Sequence, residues 1–157
     1  MERRIGVSQA HAKTLEALVS LVGGESYPLF ETKQKALMFA AALGYHISKR
    51  EPLGARDAGS AIRFDVFEKN LDDGFVACLG VACARDLGVL GDSRQEELAT
   101  IFEEYACAGL SELQKRVLGV ADPLQALLAL MNLARHPQTE TEIEGLDPSV
   151  LKDLMRG

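Results

Sequence analysis

The sequence predicts an all-α, single-domain bundle of five to six helices, with a long basic loop after the second helix. Two observations support this fold class. Apolar residues recur at helical spacing in several segments, and no strand-like segment has a visible partner. The length of 157 residues suits one domain with a core, and the composition, 47% hydrophobic and 25% charged, excludes wholesale disorder.

The first two helices are predicted from their capping residues and apolar faces. Ser8 is expected to cap a helix over about residues 9–22, and Thr32 to cap a second helix with its body at 35–43. Apolar residues surround nearly the whole of this second helix, so we expect it to be central and its alanines to admit a close neighbour. Gly44 is expected to end it in the left-handed conformation.

A long ordered loop is predicted over residues 45–62, which contain Pro52, Gly54 and Gly59 and show no helical or strand period. A loop of this length in a small domain is usually functional or disordered. Residues 62–67 then alternate apolar and charged side chains. We expect a short helix or turn there rather than a strand, because no partner strand is visible elsewhere.

Three further helices are predicted in the second half from their apolar stripes and their polar starts, over about residues 74–86, 93–118 and 122–136. Gly109 lies within the apolar stripe of the second of these, which indicates close packing or a slight bend. We therefore expect a helical domain over residues 1–136, followed by an acidic linker and a short C-terminal helix over 137–157.

The net charge of −6 conceals an asymmetry along the chain. Residues 1–63 carry nine Lys/Arg and six Asp/Glu, whereas residues 64–157 carry eight and seventeen. The basic first half suits phosphate and the acidic second half suits a basic partner, although both are also typical of solvated faces. No apolar run approaches the length of roughly 20 residues that spans a bilayer, so we expect a soluble cytoplasmic protein without membrane contact.

The sequence contains no enzyme signature. Cys78 and Cys83 lie among apolar residues and are expected to fill the core. A structural role is also favoured for Cys107, with partial exposure left open. Glu96 and Glu103 share one face of a predicted helix and are expected to be solvated charges rather than metal ligands. The histidines lie far apart in sequence, and glycine-rich phosphate motifs are missing. We therefore expect no catalytic residue, no bound metal and no cofactor.

The long basic loop is the remaining candidate site. Its candidate binding residues are Tyr45, Lys49, Arg50, Arg56 and Arg63. The cations suit phosphate groups, and the tyrosine suits stacking on a base or a sugar. Contact with a protein and a structural role both stay open, since Arg63 can instead pair with Glu68 or Asp65 and pin the loop.

Several short blocks occur in a characteristic order along the chain. They are residues 29–32 (Leu-Phe-Glu-Thr), 39–45 (Phe-Ala-Ala-Ala-Leu-Gly-Tyr), 50–53 (Arg-Glu-Pro-Leu), 62–63 with 66–67, and 101–110 (Ile-Phe-Glu-Glu-Tyr-Ala-Cys-Ala-Gly-Leu). Together they resemble the dnd system-associated protein 4 family, small proteins that accompany bacterial DNA phosphorothioation genes. The resemblance covers about residues 27–114 and leaves the final 40 or so residues outside it. It implies a role beside enzymes that place or sense sulfur in the DNA backbone, and it supplies no catalytic residue.

From the residues and the resemblance together, we expect a non-enzymatic accessory or adaptor protein of a phosphorothioation-linked defence or restriction-modification system. Its expected partners are protein subunits of a DNA-modification or restriction complex. The alternative is a DNA-binding module that contacts the phosphate backbone or modified DNA through the basic loop 45–63. A homodimer also stays open, because the predicted helix from Pro123 to Arg135 carries more leucine than one core face needs.

Overall fold

The computed structural model describes residues 3–21 and 27–135. Its helices are α1 (Ala12–Val19), α2 (Lys33–His46), α3 (Phe64–Lys69), α4 (Asp73–Ala84), α5 (Gln95–Leu113) and α6 (Pro123–Arg135), and its strands are β1 (Arg4–Ile5) and β2 (Ile62–Arg63). Short 3-10 turns precede α1 and α5, and a π-helical turn, Gln114–Leu118, continues α5. The predicted all-α class is therefore confirmed. The predicted linker and helix over 137–157 lie outside the described residues.

Side-chain caps begin the first two helical segments, as predicted. The Ser8 hydroxyl accepts a hydrogen bond from the Ala10 amide at 3.3 Å, and the Thr32 hydroxyl accepts one from the Lys35 amide at 3.2 Å. Each cap satisfies an amide that has no partner inside its own helix. The helix predicted over 9–22 is shorter in the structure, since α1 ends at Val19.

The core is built around a close crossing of α2 and α5. A methyl group added at Gly109 of α5 would lie 1.8 Å from the carbonyl oxygen of Ala40 in α2. One added at Gly44 of α2 would lie 2.1 Å from the carbonyl oxygen of Tyr105 in α5. Each helix thus contributes a glycine where the backbone of the other comes nearest. The close approach predicted for the alanine run and for Gly109 is confirmed.

The predicted left-handed end of α2 at Gly44 is wrong. Gly44 lies inside the helix, which continues to His46, and Ser48 instead adopts the left-handed conformation with φ of 55°. Gly44 lacks a side chain because of its contact with Tyr105 rather than because of a turn. A glycine near a helix end fits both explanations, and the sequence alone does not separate them.

The segment after the loop is a very short strand followed by a helix. Ile62 pairs with Ile5 and Arg63 with Arg4 in an antiparallel register, and α3 begins at the next residue. The predicted short helix is therefore confirmed, but the expectation that no partner strand exists is wrong. A strand of two residues is too short to show alternation, so β1 gives no periodic signal in the sequence.

The predicted ordered loop is confirmed over residues 47–61. Backbone hydrogen bonds fasten it to the N-terminal segment, from Gln9 to the Ala55 carbonyl and from Asp57 to the Val7 carbonyl, both at 2.8 Å. A third bond, 3.1 Å long, joins the Glu51 amide to the Glu104 carbonyl of α5. The loop is therefore held between the N-terminal segment and the central helix.

The glycine crossing predicts that Gly109→Ala destabilises the protein strongly. The added methyl meets a backbone carbonyl that cannot rotate away, and overpacking of this kind costs about 1–3 kcal/mol. Urea unfolding followed by circular dichroism measures the loss. Gly74→Ala is the matched control, because an added methyl there finds no atom within 4 Å. An unchanged unfolding midpoint for Gly109→Ala would contradict the close crossing.

Candidate functional site

The predicted site residues are organised by a buried carboxylate, Glu103 of α5. Its side chain is only 1% exposed, and both of its oxygens accept hydrogen bonds from the Arg56 guanidinium, at 2.9 and 2.8 Å. The expectation that Glu103 is a solvated charge is therefore wrong. The reason is that the long loop and the N-terminal segment cover this face of α5, a tertiary arrangement that the periodicity of one helix does not reveal.

The N-terminal segment completes the shell of donors around Glu103. The Gly6 amide donates to its Oε1 at 2.7 Å, and Arg3 Nη2 lies 3.4 Å from its Oε2. A methyl group at Gly6 would lie 2.1 Å from Arg56 Nη1, so a side chain at this position would displace the guanidinium from its contact with Glu103. The hydrogen bond that Arg56 donates to Glu103 raises the pKa of Arg56, while burial opposes this rise. A buried carboxylate with this many donors is electrically satisfied.

Two other loop cations also pair with glutamates of α5. Lys49 Nζ lies 3.6 Å from a carboxylate oxygen of Glu112, and Arg50 Nε donates to Glu104 Oε2 at 2.8 Å. Together with the Arg56 pair, these contacts occur in opposite order along the loop and along α5. The loop therefore runs antiparallel to the helix, and three ion pairs attach it to the helix.

Arg63 pairs with Asp65, one of the two carboxylates proposed from the sequence, at 2.7 Å. All four predicted cations thus have a carboxylate partner. The five predicted residues do not share one element: Tyr45, Lys49 and Arg50 lie at the C-terminal end of α2 or just after it, whereas Arg56 bridges to Ser8 and Arg63 lies in β2. These ion pairs support the structural role that was left open for the loop.

Tyr45 and Arg50 line a surface cleft of about 620 Å³ between the C-terminal ends of α2 and α4 and the middle of α5. The rings of Tyr45 and Tyr105 meet edge to face with centroids 5.5 Å apart, and the Arg50 guanidinium lies 5.5 Å from the Tyr105 centroid. Arg50 Nη1 also donates to Cys83 Sγ at 3.3 Å. The cleft therefore presents two tyrosine rings and a guanidinium whose position is fixed by its contacts with Tyr105 and Cys83.

A more apolar groove of about 610 Å³ lies between α2 and α6. Its lining residues include Phe39, Leu43, His46, Leu130 and Met131. His46 also lines the cleft described above, so the groove and the cleft meet at the end of α2. We call this combined region the α2-end surface. Lys49, Arg56 and Arg63 do not line either part of it.

Helix α6 buries little of its apolar surface. Leu127 is buried, but Leu124, Leu128 and Met131 are 45%, 43% and 44% exposed. These three residues have the spacing i, i+4, i+7 and form an outward stripe. The excess of leucine noted in the sequence is therefore real, and it borders the α2–α6 groove.

Two of the three cysteines, Cys78 and Cys83, do not occupy the core positions expected of them. Cys78 is exposed and Cys83 half-buried, because the buried face of α4 runs through Val76 and Leu79 instead. Cys107 is buried rather than partly exposed. Burial, with Glu51 and Glu104 nearby, raises the pKa of Cys107 to about 11, so its thiol carries its proton at neutral pH.

The family model for DNA sulphur modification system-associated protein 4 matches residues 4–149. The chain belongs to this family. The match is wider than the blocks over 27–114, and it includes most of the C-terminal residues that those blocks leave out. Membership in the DNA sulphur modification system-associated protein 4 family links the protein to a DNA sulphur modification system. No curated protein and no solved structure matches the chain. None of the described helices is long and apolar enough to cross a membrane.

The donor shell of Glu103 predicts that Glu103→Gln destabilises the protein. The amide keeps the size of the side chain, but it leaves Arg56 without its carboxylate partner and turns one acceptor into a donor, while Arg3 keeps its ion pair with Glu96. Hydrogen bonds to charged groups are worth about 1.5–3 kcal/mol, and we expect a loss of about 2–3 kcal/mol in urea unfolding. Glu96→Gln, at an 84% exposed side chain, is the control and should cost much less. Equal effects of the two variants would refute the structural role of Glu103.

Proposed function

We propose that this protein is a non-enzymatic accessory subunit that binds a protein component of its DNA sulphur modification system. The α2-end surface is the proposed contact region, with the outward stripe of α6 beside it. Tyr45 and Arg50 of the sequence-based site contribute at its polar end. Lys49, Arg56 and Arg63 support the fold of the loop in this proposal.

The observation that carries the proposal is the exposed apolar stripe on α6 next to an apolar groove. Three large apolar side chains within eight residues are each more than 40% exposed, and such contiguous patches mark interaction sites. Aromatic and arginine side chains of the adjoining cleft are the types enriched in the centres of protein interfaces. The chemistry of the region therefore matches a protein surface better than a phosphate chain.

The ion pairs of the loop support the same choice. Each of its four cations already faces a carboxylate, so phosphate contacts would have to displace that carboxylate or share its cation. Nucleic-acid affinity depends on cations that are free to neutralise phosphates. We therefore place direct DNA binding through residues 45–63 second to protein binding.

The carboxylate and thiol chemistry supports a non-enzymatic role. The carboxylate oxygens of Glu103 are engaged by Arg56, Arg3 and Gly6, and Cys107 is buried and protonated. Neither group has the freedom that a general base or a nucleophile needs.

The proposal predicts that Met131→Asp abolishes capture of partner subunits from the native host. A charge in the apolar groove would be desolvated by a bound protein, so we expect at least a tenfold loss in a pull-down with the tagged full chain. Capture by the unchanged protein should survive nuclease treatment. Leu71→Asp is the matched control: Leu71 is 85% exposed, does not line the groove or the cleft, and should leave capture unchanged.

Loss of the captured proteins on nuclease treatment would contradict the proposal and favour direct DNA binding. In that case DNA affinity should fall steeply with salt, and Lys49→Glu with Arg63→Glu should weaken it and reduce the salt slope by about two. These two side chains are 60% and 68% exposed, so the exchange spares the buried ion pair. A dimer in solution that Met131→Asp converts to a monomer would identify a second copy as the occupant of the groove.

A further inference from the structure

Three ligand-type side chains from distant parts of the chain meet beside α5. They are His11 at the end of the turn before α1, Glu51 of the long loop, and Cys107 of α5, and their ligand atoms all lie within 4.8 Å of one another. His11 is 8% exposed and Cys107 is 5% exposed. Among the described residues this is the group placed to hold a metal ion. It is separate from the α2-end surface.

Ser111, one turn beyond Cys107, organises the group through two hydrogen bonds. Its hydroxyl donates to Glu51 Oε2 at 2.9 Å and lies 3.1 Å from His11 Nε2. Because a serine hydroxyl has only one proton to donate, its oxygen accepts the second bond, and Nε2 carries a proton. In a neutral imidazole the remaining nitrogen, Nδ1, then bears an unshared electron pair.

His11 Nδ1 is buried and has no hydrogen-bond partner among the described residues. Buried polar atoms almost always have a partner, so this atom requires an explanation. A cation would supply one and leave the contact between Nε2 and Ser111 intact. Ligating histidines usually hold their other ring nitrogen in such a hydrogen bond.

The order of the hydrogen bonds among Ser111, His11 and Glu51 does not match that of a catalytic serine–histidine–carboxylate triad. In a nucleophilic triad the histidine stands between the hydroxyl and the carboxylate and takes the proton of the hydroxyl. Here Ser111 stands between His11 and Glu51, and its proton points to the carboxylate. The histidine nitrogen that would receive a proton faces no donor.

We propose that His11, Glu51 and Cys107 bind one divalent transition-metal ion of the zinc class. A set of one imidazole nitrogen, one carboxylate oxygen and one thiolate sulfur suits a borderline-soft ion and does not suit Mg²⁺ or Ca²⁺, which take oxygen ligands. Around Zn²⁺ such atoms lie about 2.0–2.3 Å from the ion and about 3.3–3.8 Å apart. The present separations of up to 4.8 Å exceed this range by about 1 Å, so binding would require side-chain movements of that size.

Binding replaces the proton of the Cys107 thiol by the metal and releases that proton to solvent. The ion would then join the N-terminal segment, the long loop and α5 at a second point, besides Glu103. Three protein ligands leave a fourth position for water or for a group from a partner. The inference does not depend on the proposed protein-binding surface.

The test uses the full chain without an affinity tag, stripped of metal with a chelator that is then dialysed away. Zn²⁺ is titrated in competition with a chromophoric chelator, and Co²⁺ is added separately as a spectroscopic probe. We expect one ion per chain, a thiolate-to-cobalt charge-transfer band, and a higher unfolding temperature with Zn²⁺. Ser111→Ala, which removes a positioning residue, should weaken Zn²⁺ binding roughly 10–100-fold and shift the cobalt spectrum.

His11→Gln and Cys107→Ala should weaken binding further, and Cys107→Ala should abolish the charge-transfer band. Cys78→Ser is the matched control, because Cys78 is exposed and should be dispensable. Failure of the unchanged chain to bind one ion, or a band that survives in Cys107→Ala, would overturn the site. If the ligand variants fail to fold, X-ray absorption of the zinc-loaded Cys78→Ser protein decides: one sulfur neighbour supports the site, and none refutes it.

Discussion

Glu103 is the charge on which the arrangement of this small domain depends. It lies in the most buried helix, and it is tolerated there because donors from two other segments surround it. A buried carboxylate without partners is far too costly to keep. The N-terminal segment and the long loop must therefore both be in place for the central helix to be stable. Gly6 is part of the same constraint, since it leaves space for the guanidinium of Arg56.

The loop illustrates how charge can serve structure rather than ligand binding. Its cations meet glutamates of α5 in reverse order, so the loop lies along the helix without forming secondary structure of its own. The exposed apolar residues lie elsewhere, on α6 and in the groove it forms with α2. One side of the domain is thus held together by ion pairs, and another side exposes apolar residues. For this reason we assign the support of the fold to the ion-paired residues and the proposed partner contact to the apolar ones.

The sequence predicted the helices, the Ser8 and Thr32 caps and the close packing at Gly109, because these depend on local periodicity and on capping chemistry. It assigned Gly44 to a helix end instead of to the crossing. It also identified the leucine excess of α6. It did not predict the burial of Glu103 or the grouping of His11 with Cys107, because both depend on contacts between residues about 100 positions apart. The amphipathic pattern of α5 places Glu103 beside Glu96, yet one is 1% and the other 84% exposed. Glu103 is covered by the N-terminal segment and the long loop, and neither of these segments shows a periodic pattern in the sequence.

The sequence distance between Glu103 and its donors also has a consequence for the order in which these segments are synthesised. Gly6 and Arg56 precede Glu103 by 97 and 47 residues, so both segments are synthesised before their acceptor. Contacts between residues so far apart in sequence require the closing of a large loop, and the entropic cost of this closure comes before the contacts contribute any stability. The N-terminal segment and the long loop of a nascent chain therefore stay without this anchor until α5 has emerged. Helix α5, which is translated late, therefore completes the part of the core that is translated first.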